Sequence, residues 1–144
     1  MSQEGTFRKV EESAKKMHGS KGLLLCGYPE PEQQRLLTLL KESGLSAFPV
    51  IFATNGDRQK PLKEIFESGH RHGQGETSEM IRAAVMSGFT HNELHTLMAS
   101  YRDSDLPPQL WAALTPISEN WSVADLLNEL AAEHEAVSKQ KSNP

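Results

Sequence analysis

Phe7, Val10, Ala14 and Met17 recur along the chain with Arg8, Lys9, Glu11, Glu12, Lys15 and Lys16 between them, a spacing that predicts a helix over 5–17 with one apolar stripe. The polar, glycine-containing run His18–Gly22 ends it and leads into Leu23-Leu24-Leu25-Cys26, a short apolar strand. Leu36, Leu37, Leu39 and Leu40 then mark an amphipathic helix over 31–43, stopped at Gly44. Phe48–Ala53 is β-branched and aromatic and reads as a second strand, followed by a turn at Thr54-Asn55-Gly56-Asp57 and a short helix over 60–68 that carries Leu62, Ile65 and Phe66. Residues 69–78 hold three glycines and no large apolar side chain, which predicts an exposed loop with little internal order. After it the order returns: a strand over 83–87, a helix over 91–102, a strand over 110–114 and a helix from Trp121 to about Ala136, with a polar frayed tail over 138–144.

The return is residue for residue. Shifted by 61 positions, Leu23–Thr54 lies on Ala84–Thr115 without a gap. Gly27/Gly88, Glu32/Glu93, Leu36/Leu97, Ser43/Ser104, Leu45/Leu106 and Thr54/Thr115 are identical, and Leu24/Val85, Tyr28/Phe89, Leu37/Met98 and Lys41/Arg102 keep their class. A βαβ crossover of this length demands parallel strands joined right-handedly. The expected architecture is therefore α/β: a duplicated βαβα unit forming a four-stranded sheet with flanking helices and an extra N-terminal helix. Residues 1–144 make one domain, with repeats at 23–68 and 83–136 and a Gly/His-rich linker over 69–82. Strand order does not follow from the pattern.

The stretch from Thr115-Pro116 through Trp121 to Leu126-Leu127-Asn128-Glu129-Leu130, with Gly88-Phe89-Thr90 upstream, resembles a small bacterial and plastid-lineage domain family of unknown function. That family's pattern is a strand ending in Gly-aromatic, a helix, a strand ending in Thr-Pro, a Trp and a Leu-Leu-x-Glu-Leu helix. The resemblance covers residues 83–135. It makes residues 23–68 a degenerate second copy that keeps Gly27-Tyr28 and Thr54 but carries Asn55 for the proline and Lys60 for the tryptophan. The family implies a fold and no activity.

Composition narrows the rest. The chain has 144 residues, 15 Lys+Arg against 19 Asp+Glu and a net charge of −4, a balance with no general attraction for nucleic acid or anionic lipid. Its apolar runs are strand-sized, so no membrane span is expected. Nothing at Met1–Gly5 reads as a secretory signal. One cysteine, Cys26, excludes an internal disulfide and a thiolate metal cage. The expected setting is a reducing soluble compartment, cytoplasm or plastid stroma.

Candidate chemistry collects at the carboxyl ends of the strands, where ligands of open α/β sheets bind. The candidate ligand or interaction surface is Gly27, Tyr28, Thr54, Gly88, Phe89, Thr90, Thr115, Ser118 and Trp121. Thr90-x-x-Glu93 forms a capping box, and Ser122-x-x-Asp125 resembles one. His91 and His95 have the spacing of a two-histidine metal site but lack the glutamate that a zinc protease places between them. His70-Arg71-His72 sits in a loop with no third ligand nearby in sequence, no phosphate-loop signature is present, and Cys26 matches Ser87 as a small packing position. Trp111 is expected in the core. No catalytic residue, cofactor or metal is therefore assigned. The favoured reading is a non-catalytic protein-interaction or regulatory module, possible self-association included. The alternative is a small-molecule binder or cryptic enzyme working at the strand ends.

Overall fold

The computed structural model describes residues 15–142, with side chains as far as Ser138. Of the helix expected over 5–17, residues 5–14 lie outside the described residues. Lys16 is not helical but bridges Thr90, and Met17 N–H donates to the Phe89 carbonyl at 2.8 Å. Four strands, β1 (Gly22–Cys26), β2 (Val50–Phe52), β3 (Ala83–Ser87) and β4 (Leu110–Ala113), form one mixed sheet in the order β2-β1-β3-β4. Among the described residues four α-helices accompany them: α1 (Glu30–Glu42), α2 (Leu62–Ile65), α3 (His91–Arg102) and α4 (Val123–Ser142).

Side chains alternate across a strand, and the two faces of the sheet carry separate cores. Leu23, Leu25, Phe52 and Met86 face α1 and α3, packing on Leu36, Leu40 and Leu97. Leu24, Cys26, Ile51 and Val85 face α2 and α4, packing on Leu62, Ile65, Val123 and Leu127. The central strands are buried on both faces, which is why β1 and β3 read as unbroken apolar runs. Each fully buried leucine contributes about 2 kcal/mol, so the three leucines of β1 anchor both layers.

The pairings follow the 61-residue offset. β1 pairs β2 in parallel through Leu24 and Ile51, and β3 pairs β4 in parallel through Val85 and Ala112, the matching residues. β1 and β3 are antiparallel, and Leu24 stands opposite its own counterpart Val85. On the α2/α4 side Pro61 bridges its counterpart Ser122, with Leu62 N–H donating to the Trp121 carbonyl at 2.9 Å and Val123 N–H donating to that of Lys60 at 3.1 Å. Residues that match under the offset therefore meet at these two antiparallel contacts.

Two segments differ from expectation. The loop over 69–78 does not stand free: Arg71 N–H donates to the Val50 carbonyl, Phe52 N–H donates to the His72 carbonyl at 2.8 Å, and Val50 N–H donates to His70 Nδ1 at 3.0 Å. It is a strap along the outer edge of β2. Helix α4 runs past Ala136 to Ser142, through most of the expected tail, because Ser138–Lys141 holds no glycine or proline to stop it.

Candidate functional site

Because β1 and β3 are antiparallel, the strand-end residues fall at two opposite ends of the sheet. Gly27, Tyr28 and Thr54 lie at one end; Gly88, Phe89, Thr90, Thr115 and Ser118 lie at the other. Trp121 is on the α2/α4 side, where its carbonyl accepts from Leu62 N–H, and is 36% exposed. They do not converge on one cavity.

Gly27 and Gly88 each take positive φ, +75° and +67°, and each is pressed against backbone entering the neighbouring strand. A Cβ on Gly88 would stand 2.7 Å from the Gly19 carbonyl oxygen and 2.8 Å from Lys21 N; one on Gly27 would overlap the Met80 carbonyl oxygen and Arg82, the counterparts of Gly19 and Lys21. What these glycines admit is the other half of the protein. Tyr28 and Phe89, next in line, are buried side chains of the α1/α3 core.

Behind Tyr28 the sequence reading missed a polar knot. The Arg82 guanidinium lies 4.1 Å over the Tyr28 ring, pairs with Glu32 at 2.8 Å, and donates to the Gly27 carbonyl and to the Tyr101 hydroxyl at 3.2 Å. The Tyr28 hydroxyl donates to Gln109 Oε1 at 2.6 Å, and that of Tyr101 donates to the Pro107 carbonyl. Burial, before any other cause, pushes the Tyr28 phenol well above the usual tyrosine range. The knot ties the first half to the lead-in of β4, and no local motif announces it because its members lie far apart in sequence.

At the Thr54 turn the buried Asp57 accepts from Thr54 N–H at 2.9 Å and Thr54 Oγ1 at 3.0 Å, and pairs with Lys60 Nζ and His72 Nε2, each at 3.0 Å. Burial alone would raise this carboxyl. The Thr54 N–H, Lys60, His72 and the Thr54 hydroxyl outweigh it and hold the pKa at about 2. The matching turn is neutral: Thr115 N–H donates to Ser118 Oγ at 3.0 Å, and Ser118 N–H donates to Thr115 Oγ1 at 2.9 Å. His18 and Glu119 meet beside it at 3.0 Å. Both carboxylate oxygens of Asp57 are engaged in holding the turn and the strap.

The remaining candidates have structural places. Cys26 is buried, and its thiol is pushed up to about 12, first by burial and then by the charge of Asp57, so it is protonated at neutral pH. Thr90 caps α3, accepting from Glu93 N–H at 3.1 Å while Glu93 Oε1 accepts from Thr90 N–H at 2.8 Å. The His91 and His95 rings are 6.5 Å apart, and among the described residues no group of three His, Cys, Asp or Glu could hold a metal ion. No described helix is long and apolar enough to cross a membrane.

The sheet edges set the two halves apart. A groove of about 630 Å³ runs between α1 and β2, lined by Leu37, Leu40, Lys41, Phe48 and Val50, with His70 and Arg71 of the strap as its outer wall. The counterparts of those five residues, Met98, Tyr101, Arg102, Gln109 and Trp111, line a groove of about 310 Å³ between α3 and β4. Among the described residues no strap covers this second groove. Leu110 and Leu114 N–H groups donate inward to the Arg82 and Met86 carbonyls, so those of Trp111 and Ala113 point outward. Among the described residues nothing pairs with them, whereas their counterparts on Val50 and Phe52 are paired. Trp111, expected in the core, is half-buried at this edge, its ring perpendicular to that of Tyr101 at 5.4 Å.

The second half, which carries this edge, is also the half with a match among known families. Residues 82–137 match a family described as Domain of unknown function (DUF3783), which spans β3, α3, β4 and most of α4. A DUF3783 domain therefore occupies the part of the chain where the resemblance lay. No curated protein and no solved structure matches the chain.

Proposed function

We propose that the chain is a non-catalytic protein-interaction module whose working surface is the outer edge of β4 with the α3–β4 groove beside it. One observation supports this: the same edge and groove occur twice, and among the described residues a strap covers the first and nothing covers the second. An unprotected edge is a template for another strand, and natural proteins blunt edges with lysine, proline or a covering segment. Leu110–Ala113 carries no charge and no proline. The groove adds an aromatic and thioether wall of the kind that receives side chains of an added strand. The engagement of Asp57, Gly27, Gly88 and Cys26 in packing supports a binding role over a catalytic one. The coincidence of the pairings with the 61-residue offset supports reading the chain as one ancestral βαβα module written twice. The lone buried thiol suits a reducing compartment.

A photo-reactive side chain tests the surface. Placed at Arg102, on the open groove, it is expected to cross-link a protein, a second copy included, in native extract; placed at the matching Lys41, beside the strap, it is expected to give none. Equal labelling from both positions, or none from Arg102, contradicts the reading.

A further inference from the structure

We infer that the occupant of the β4 edge is a second copy of the same chain, joined β4 to β4 about a two-fold axis at Ala112 to make one continuous eight-stranded sheet. The inference rests on the reading of β4 as the working edge and names its partner. The short edge is self-complementary. With Ala112 opposite Ala112 of the other copy, Trp111 falls opposite Ala113, and the outward N–H and carbonyl groups of those two residues exchange hydrogen bonds in both directions, four bonds in all by the antiparallel pattern. Side chains come closest where no bonds are exchanged, and there the two chains present alanine to alanine. Trp111, on the α3 face, meets the small Ala113 beside it on the same face, so a large side chain meets a small one twice across the axis.

The chain already joins its own halves by such an antiparallel pairing, at Leu24 and Val85. Neither edge brings a charge to the strand pair, so like charges do not oppose it. Two equal bare edges that close on each other leave none exposed, which a heterologous contact does not achieve. Area sets the strength. A stable pair buries roughly 800 Å² per partner, close to a tenth of this chain's 8658 Å². Four residues of strand fall short of that, and only the added cover of the α3–β4 groove approaches it, so the pair is of the weak, micromolar class.

Sedimentation equilibrium of the full chain from micromolar to millimolar concentration tests this. The wild type is expected to pass from monomer to dimer. Ala112→Lys and Ala112→Glu, which set like charges against each other on the axis, should each weaken the dimer roughly tenfold or more. An equimolar mixture of the two should dimerise again, a recovery that mere damage to the fold would not produce; circular dichroism checks that each variant keeps the sheet. A wild type that stays monomeric throughout, an undiminished Ala112→Lys dimer, or a mixture of folded variants that stays monomeric overturns the inference. If the wild type is monomeric and the Arg102 probe labels a different protein, the edge reading stands and only the second copy falls; if the probe labels nothing, both fall.

Discussion

Gly88→Ala is expected to cost roughly 3–5 kcal/mol, because a Cβ there needs both a strained positive φ and a shift of the backbone at Gly19–Lys21. For a chain of this length that lowers the melting temperature by about 10 °C or more. Gly27→Ala should behave alike, since Met80 and Arg82 crowd it as Gly19 and Lys21 crowd Gly88. Gly44→Ala separates the two causes. Its φ is +77°, but nothing lies within 4 Å of the added Cβ, so it should cost only about 1 kcal/mol. Thermal unfolding of the three variants by circular dichroism checks the order; a Gly88→Ala chain no less stable than Gly44→Ala would mean that the strand-end glycines are not where the halves close on each other.

The second large effect is a loss of stability in acid through Asp57. Its carboxyl has a pKa of about 2 in the folded chain against an ordinary value of 3.8. A depressed folded pKa means that the unfolded chain binds the proton first as pH falls. The contribution, about 2 kcal/mol, is therefore complete above pH ~4 and disappears as pH drops toward ~2. Asp57→Asn should remove that part of the acid dependence and also lower stability at neutral pH by roughly 2–3 kcal/mol, because an amide cannot serve Lys60 and His72 as the carboxylate does. Urea unfolding of both proteins at neutral pH and near pH 3 measures it. Parallel pH profiles for wild type and Asp57→Asn would contradict the assignment.

Much of this architecture was legible in the sequence, and the gaps have physical causes. The apolar runs at 23–26 and 83–87 made the α/β class and its strands legible, since burial on both faces of β1 and β3 leaves an unbroken apolar imprint in each. The antiparallel join at Leu24 and Val85 was not legible, because strand order depends on contacts between segments far apart. The strap was not legible for another reason: glycines and histidines at 69–73 read as loop, while two of its bonds to β2 come from the backbone N–H of Arg71 and carbonyl of His72, which carry no residue signature, and the third from His70 Nδ1, whose partner Val50 is distant in sequence. Trp111 packs against the α1/α3 core, as its size suggests, but is only half-buried. Its neighbours Pro107, Pro108, Ala112 and Ala113 held the signal of an edge position, a strand entered through prolines and finished with small residues.

Among the described residues the strap covers the β2 edge and nothing covers the matching β4 edge, the condition on which the proposed binding surface depends. Amide hydrogen exchange in dilute, monomeric protein compares the counterparts directly. The account predicts that Val50 and Phe52 amides are strongly protected while those of Trp111 and Ala113 exchange orders of magnitude faster. Equal protection of all four in the monomer would show that the chain seals its own second edge, and would contradict it.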